Sequence, residues 1–247
     1  VCELELELVE GHLADVFALV RALPLGPDLH WSVISKAERC HALAYGLAPA
    51  ATHARPARLS PAMDAAQGFQ AIAWACLEQL LANYPLVIAT GEAEAVHQAR
   101  VAIRRLRAAC SLFAEVIDDE AAPVLRAELK AAASGLGPAR DLHVLFERVA
   151  AAARTSDDDL GDMLAHLAAR RDEAVASARA LLAAEPFQRL LFDFAAWLEA
   201  GDWLGRKEEN GGDQPLPSFA GRALSRRRRK LRRQAGRLAG LTDAERH

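Results

Sequence analysis

The segment VHQARVAIRRLR, residues 96–107, carries the pattern from which the rest of the chain can be interpreted. On a helix that turns by about 100° per residue, its histidine and three of its arginines fall within about a quarter of the circumference. These residues are His97, Arg100, Arg104 and Arg107. A separate apolar stripe contains Val96, Ile103, Leu106, Cys110, Phe113 and Ile117. One face can therefore pack in a core while its neighbour stays strongly positive, which predicts an anion-binding helix.

The composition predicts a mainly all-α protein. Of the 247 residues, 52% are hydrophobic but only 6% are aromatic, and alanine and leucine dominate. This is enough apolar material for a sizeable core, and it favours helices over sheets. The formal net charge of −3 hides a strong asymmetry, because residues 157–162 are rich in aspartate whereas residues 222–237 contain no acidic residue. The two segments predict surfaces of opposite charge.

Cysteine usage and hydropathy indicate the compartment. Cys2, Cys40, Cys76 and Cys110 are scattered and form no CxxC pair, so we predict free thiols in a reducing environment. The sequence shows neither a long uncharged apolar run nor a basic-then-apolar leader. We therefore expect a cytoplasmic protein with no membrane partner.

The N-terminal part of the chain predicts a different structure. Residues 2–8, CELELEL, alternate strictly between apolar and acidic side chains, which predicts a β-strand with Glu3, Glu5 and Glu7 on one face. Three such carboxylates suit a divalent metal ion, and the alternative is the solvated face of an edge strand. Short helices are expected over residues 13–23 and 35–40.

A proline-containing segment predicts a domain boundary. Residues 46–61 hold three prolines and no sustained period, which is typical of a linker. We therefore assign residues 1–45 to an N-terminal unit and residues 62–247 to a helical domain. Its helices are predicted over residues 62–83 (ended by Pro85), 92–117, 123–135, 139–153, 157–183, 186–203 and 219–238, with a loop over 205–217. Short connections between helices of this length favour an antiparallel bundle.

The last predicted helix repeats the basic pattern at higher density. One of its faces carries Arg222, Arg226, Arg229, Arg233 and Arg237. In addition, EAEAVH at residues 92–97 resembles TDAERH at residues 242–247. This similarity predicts two fused bundles, with a second histidine–arginine helix beginning at His247.

Repeated arginines suit a repeated phosphate, because a guanidinium group forms paired charge-assisted hydrogen bonds with phosphate oxygens. A merely solvated helix face is the alternative. However, no acidic residue is interleaved in the stripe, and uncompensated like charges at i, i+4 spacing destabilise a helix. Nucleic acid fits less well than a bare phosphate chain, because the two basic helices offer little aromatic surface for base stacking.

Two local motifs allow more than one interpretation. Glu94 and His97 have the Glu-x-x-His spacing of di-iron bundles, but Arg100 and Arg104 on the adjacent turns would repel a metal ion. Arg140 and its neighbour Asp141 form either a plain helix-start ion pair or an extension of the basic surface. No Ser-His-Asp or Cys-His arrangement can be argued from the sequence.

Residues 96–107, together with LGPARDLHVL at residues 136–145, strongly resemble the CHAD family, named for a conserved-histidine α-helical domain. The resemblance covers roughly residues 60–247 and implies the first four-helix bundle of that fold plus the start of a second. It also implies a basic surface that binds inorganic polyphosphate without a cofactor. The residues it assigns to that surface are His97, Arg100, Arg104, Arg105, Arg107, Arg140, Arg226, Lys230 and Arg233. The basic pattern of the last helix adds Arg222 and Arg229, and the internal similarity adds His247.

The N-terminal residues, with SKAER at residues 35–39, resemble the end of a CYTH domain, the triphosphate-tunnel fold. This resemblance implies that Glu3, Glu5 and Glu7 lie on the side of a Mg or Mn site in a longer parent protein. That parent would be an inorganic triphosphatase, whereas we expect no turnover by the present chain. The main prediction is polyphosphate binding, with triphosphatase activity of the parent and non-specific nucleic-acid binding as alternatives.

Overall fold

The computed structural model describes residues 3–23, 30–154 and 160–239. In these ranges every regular element is a helix, which confirms the mainly all-α prediction. The helices are α1 Leu13–Ala22, α2 Lys36–Ala44, α3 Ala65–Thr90, α4 Ala93–Leu112, α5 Ala121–Gly135, α6 Gly137–Ala153, α7 Gly161–Ala183, α8 Glu185–Ala200, α9 Asp202–Gly205 and α10 Leu216–Ala239.

Helix α3 is the central core helix. Asp64 caps its N-terminus in a capping box with Gln67, and Gly91 ends it in the left-handed conformation with φ of 67°. The predicted end at Pro85 was wrong, because this proline lies inside the helix. An interior proline removes one backbone hydrogen bond, but the flanking Tyr84 and Val87 are fully buried, and their packing stabilises the continued helix.

The core forms where α4 packs along α3 and where α5, α7 and α8 pack around this pair. The shared core contains Phe69, Leu77 and Leu80 of α3 with Ile103 and Leu106 of α4, all of them buried. By length and composition α3 could also cross a membrane, but half of its apolar stretch is buried inside the fold. Its contacts with α4, α7, α8 and α10 are those of a core helix.

The predicted N-terminal β-strand is wrong over the residues that the structure describes. Residues 3–8 have no regular secondary structure and are exposed. The only β-bridge in the described ranges joins Asp64 to Pro215, so the acidic segment has no strand to pair with there. Glu3 instead accepts a hydrogen bond from Arg39 at 2.6 Å, and Glu5 accepts one from Lys36 at 2.8 Å. Both cations belong to the predicted short helix, which is present as α2 with Ser35 as its N-cap.

The N-terminal residues contact the helical bundle. Helix α1 packs against α8, and Arg21 of α1 forms an ion pair with Asp193 at 2.7 Å. The Trp31 ring stacks on Phe192 at a centroid distance of 4.9 Å, and the Tyr84 hydroxyl donates to the Trp31 carbonyl at 3.1 Å. Residues 47–60 have no regular secondary structure, in line with the predicted linker. The domain boundary itself stays a prediction.

Other details also differ from the sequence prediction. The helix predicted over residues 92–117 ends at Leu112, although Phe113 and Ile117 are buried as the apolar stripe predicted. The helix predicted over residues 186–203 breaks at Gly201 into α8 and α9, where Trp203 folds back and donates from Nε1 to the Trp197 carbonyl at 3.0 Å. Helix α10 starts at Leu216, slightly earlier than expected. Helix α7 starts at Gly161, and the aspartates at 157–159 lie outside the described residues. Cys40, Cys76 and Cys110 are free thiols, as predicted, and Cys2 lies outside the described residues.

Candidate anion-binding surface

Helix α4 presents its basic face to solvent because its other face is held in the core. Ala95, Ala99 and Ile103 are fully buried against the bundle. On the other side Arg104 is exposed, while His97, Arg100 and Arg107 are half-buried. From His97 to Ser111, which is 14 residues further along, this face extends about 21 Å along the helix axis. We call the set His97, Arg100, Arg104 and Arg107 the α4 basic stripe.

His97 lies in a cationic environment. Removal from water lowers the pKa of its imidazole, and the charges of Arg140 and Arg104 act in the same direction, as does His53. The Glu94 carboxylate opposes this effect. Within the described chain the His97 ring makes no hydrogen bond, so both ring nitrogens remain available. The imidazole is therefore neutral at pH 7 until an anion adds negative charge beside it.

Arg100 is positioned by the turn between α5 and α6. Its Nη1 donates to the Ala133 carbonyl at 3.3 Å, and its Nη2 lies 3.9 Å from an Asp141 carboxylate oxygen. Gly137 leaves room for this side chain, because a Cβ at that position would lie 3.1 Å from Nη1. The structure thus pairs Asp141 with Arg100, and Arg140 has no ion-pair partner in the described ranges.

Arg105 lies apart from the stripe. Its Nη1 donates to Gln79 Oε1 on α3 at 2.7 Å, and its Nη2 donates to the Arg55 carbonyl at 3.4 Å. Gln79 in turn donates to Gln98 Oε1 at 2.9 Å, and Gln98 donates to Glu94 at 2.7 Å. Arg105 therefore terminates a polar network between α3 and α4, and its guanidinium group is not brought together with the other predicted phosphate ligands.

A first groove lies between α4 and α5. Its lining consists of Arg107, Ser111, Arg126, Ala127 and Lys130. Arg126 and Lys130 of α5 were not among the residues predicted for the phosphate surface. Their i, i+4 spacing on the exposed side of a predicted helix was the signal that could have identified them.

A second groove lies between the C-terminal end of α4 and α10. It is lined by Ser111, Leu112, Ala114, Glu115, Ala223, Arg226, Arg227 and Lys230. Ser111 lies in both grooves, so they meet at this residue. Arg226 and Lys230 were predicted for the phosphate surface, whereas Arg227 was missed.

Helix α10 is anchored near its start by apolar contacts. The Phe219 ring stacks on Phe113, at the end of α4, with a centroid distance of 4.4 Å, and Leu216 packs over Gly68 of α3. After buried Ala223, every residue through 235 is exposed, including Leu224 at 71% and Leu231 at 65%. Arg222, Arg229 and Arg233 are likewise exposed and line neither groove. The anchoring directs Arg226 and Lys230 towards the α4 end, while Arg222, Arg229 and Arg233 project into solvent. The side chain of Arg237 lies outside the described residues.

The glutamates predicted as metal ligands are not gathered into a site. Glu3 and Glu5 are ion-paired with α2, and Glu7 is exposed. In the described ranges no group of three or more histidine, cysteine or acidic side chains is arranged to hold a metal ion. The metal role of these glutamates stays a prediction, and His247 lies outside the described residues.

Comparison with known proteins identifies the fold family. The family model described as "CHAD domain" matches residues 71–247, more than half of the chain. The crystal structure of the CHAD domain from the plant Ricinus communis is similar, with a TM-score of 0.64 and 25% sequence identity. The similarity covers 80% of this chain but only 64% of the plant chain. No curated protein matches the sequence. The histidine–arginine helix, the helical bundle around it and the match over residues 71–247 together show that the chain belongs to the CHAD family.

Proposed function

We propose that this protein binds inorganic polyphosphate along the α4 basic stripe and the two grooves that meet at Ser111. The observation that carries the proposal is the run of cations without acidic partners. Arg104, Arg107 and Arg140 have no ion-pair partner in the part of the chain that the structure describes. A phosphate group can therefore bind these guanidinium groups without displacing a protein carboxylate.

Electrostatics distinguishes this surface from an ordinary solvated helix face. Solvated faces usually mix both signs of charge, and the mixed pairs stabilise the helix by a few tenths of a kcal/mol each. Here the exposed pairs are weak, since the contact of Arg100 with Asp141 is 3.9 Å long and the Asp141 side chain is 72% exposed. A bound polyanion would replace the missing counter-charges, and its repeated phosphates match repeated guanidinium groups.

The alternatives have less support. Residues 96–112 of α4 contain no aromatic residue, and in α10 the aromatic Phe219 is buried, so stacking platforms for nucleobases are not available on either helix. For triphosphate hydrolysis, Glu3 and Glu5, two of the three glutamates predicted for the metal site, form ion pairs with Arg39 and Lys36. We therefore propose a binding function for this chain and no catalytic step.

The experiment is a binding titration of fluorescently labelled long-chain polyphosphate, with unlabelled DNA and unlabelled polyphosphate as competitors at equal phosphate concentration. We expect saturable binding, displacement by polyphosphate at much lower concentration than by DNA, and a steep loss of affinity with added salt. Equal displacement by both polymers would contradict the proposal in favour of general nucleic-acid binding, and absence of binding at low salt would contradict both.

A further inference from the structure

The groove between α4 and α5 lies at the Arg107 end of the α4 basic stripe, away from His97. Helix α5 contributes Arg126 and Lys130, one turn apart and both exposed, with the small side chain of Ala127 between them. Neither cation has an ion-pair or hydrogen-bond partner in the described ranges. Arg107 of α4 lines the same groove. Three cations from two helices therefore face one open space without a carboxylate.

The same groove includes a hydroxyl. Ser111 follows Arg107 by one turn, so its side chain continues the line of the stripe on the α4 surface. It is exposed, and it also lines the groove against α10. A serine hydroxyl can donate one hydrogen bond to a phosphate oxygen and add no charge. Ser111 is thus placed to continue a phosphate path from the stripe into either groove.

We propose that Arg126, Lys130 and Ser111 form a second phosphate subsite, and that this subsite makes binding depend on polyphosphate chain length. The inference rests on the proposed function, since it assigns a substrate preference to the same surface. A polyphosphate chain held at His97 must pass Arg104 and Arg107 before it reaches α5, and the stripe alone extends about 15 Å along the helix axis. A tripolyphosphate is too short to occupy both ends, whereas a long chain engages them together.

The energetic reason for a length preference is effective concentration. Once one part of a polymer is held at the stripe, contact with the α5 cations becomes an intramolecular event. The second contact then adds affinity that a short phosphate chain cannot obtain. Arginine supplies a planar two-pronged donor and lysine a compact charge, so the pair can hold neighbouring phosphates without fixing the conformation of the chain.

The test compares two ligands on two double variants of the full chain. Arg126→Ala with Lys130→Ala removes the subsite. The matched control is Arg58→Ala with Arg148→Ala, which removes two exposed cations that line neither groove. For the subsite variant we expect affinity for long-chain polyphosphate to fall roughly tenfold, the size expected for two exposed charge-assisted contacts. The affinity of the subsite variant for tripolyphosphate should equal that of the control variant.

The other outcomes are distinguishable. Equal losses of affinity for both ligands would overturn the proposed length dependence, because the α5 cations would then contribute only general electrostatic attraction. A subsite variant that binds both ligands like the control would overturn the subsite itself. Failure of the unaltered protein to bind long-chain polyphosphate would overturn the proposed function and this inference together. The charge-preserving exchange Arg126→Lys with Lys130→Arg should keep the long-chain affinity, and far-UV circular dichroism should show all variants folded.

Discussion

Arg226 of α10 donates from Nη1 to both carboxylate oxygens of Glu115, at 2.7 and 2.8 Å. Glu115 is the acidic residue among those that line the two grooves. The pair ties α10 to the end of α4, and it also places a negative charge beside cations that we assign to phosphate. Glu115 thus competes with a bound polyanion for Arg226.

Removal of this competing charge should strengthen binding. For Glu115→Gln we expect polyphosphate affinity to rise by roughly two- to fivefold, the usual range for one exposed ion pair. Isothermal titration calorimetry at low salt measures the change. The matched control is Glu128→Gln, which removes an exposed carboxylate of α5 that lines neither groove. Weaker binding by Glu115→Gln would mean that the ion pair positions Arg226 for the ligand instead of competing with it.

The depressed pKa of His97 predicts a pH effect whose sign depends on the ligand. Without ligand, the folded state binds a proton on His97 less readily than the unfolded state, whose pKa is near 6.5. The contribution of His97 to the free energy of unfolding is therefore fully present above pH 6.5. It decreases as the pH falls through 6.5 towards the lowered pKa of the folded state. With polyphosphate bound, the phosphates favour the imidazolium form, so acidification should instead tighten binding.

Comparison with His97→Gln isolates this residue from the other seven histidines. Urea unfolding at pH of about 7.5 and about 5.5 should show a smaller loss of stability for the variant than for the unaltered protein. Polyphosphate titrations at the same two pH values should show a smaller gain of affinity for the variant. Identical pH dependence of both proteins in both measurements would contradict the assigned environment of His97.

Removal of Arg105 should lower the stability of the fold with little effect on polyphosphate affinity. Its removal leaves the Oε1 of Gln79, a residue that is only 3% exposed, without its 2.7 Å guanidinium donor. We expect Arg105→Ala to lower the free energy of unfolding by about 1–3 kcal/mol, the cost of an unsatisfied buried polar group. Urea unfolding gives this value. Polyphosphate affinity should change much less than in Arg104→Ala, and a larger loss of affinity from Arg105→Ala would place Arg105 in the binding surface after all.

Gly91 tests how α3 is joined to α4. Its φ of 67° is costly for any residue with a side chain, and a Cβ there would lie 2.5 Å from Cγ1 of Val175. Gly91→Ala should therefore lower the thermal midpoint, and Gly46→Ala is a useful comparison. Gly46 also has positive φ, but nothing lies within 4 Å of its Cβ position. Equal shifts for the two variants would mean that backbone strain, and not the contact with Val175, dominates.

Periodicity predicted the helices well because each helix buries one stripe. The α4 pattern anticipated the buried positions Ile103 and Leu106, and Ser35 was identified as a cap from its side chain alone. The end of α3 was not predictable in this way. Burial of Tyr84 and Val87 by other helices outweighs the local cost of Pro85, and that burial is a tertiary effect. The strand prediction at residues 3–8 was wrong because alternation shows which side chains share a face but does not supply a pairing strand.

For the candidate site, too, the spacing of residues in the sequence predicted some positions and contacts between helices decided the others. Helical spacing predicted the α4 stripe, since those positions share one face of one helix. It also grouped Arg105 with them, although the position next to Arg104 turns towards α3 and meets Gln79. The positions of the α5 cations and of Arg227 depend on which helices are neighbours. The packing of Phe219 on Phe113 and the Arg226–Glu115 ion pair bring α10 beside the end of α4. Contacts between elements therefore decided the part of the surface that spacing missed.

The central claim concerns the two stripe arginines that lack protein partners. Arg104→Ala with Arg107→Ala leaves the core of α4 intact, since neither side chain makes an ion pair or hydrogen bond in the described ranges. The decisive measurement is the affinity of this double variant for long-chain polyphosphate at low salt, beside the control pair Arg58→Ala with Arg148→Ala. We predict a loss of roughly tenfold or more for the stripe variant, with little change for the control. Equal affinities of the two variants would contradict polyphosphate binding on the α4 basic stripe.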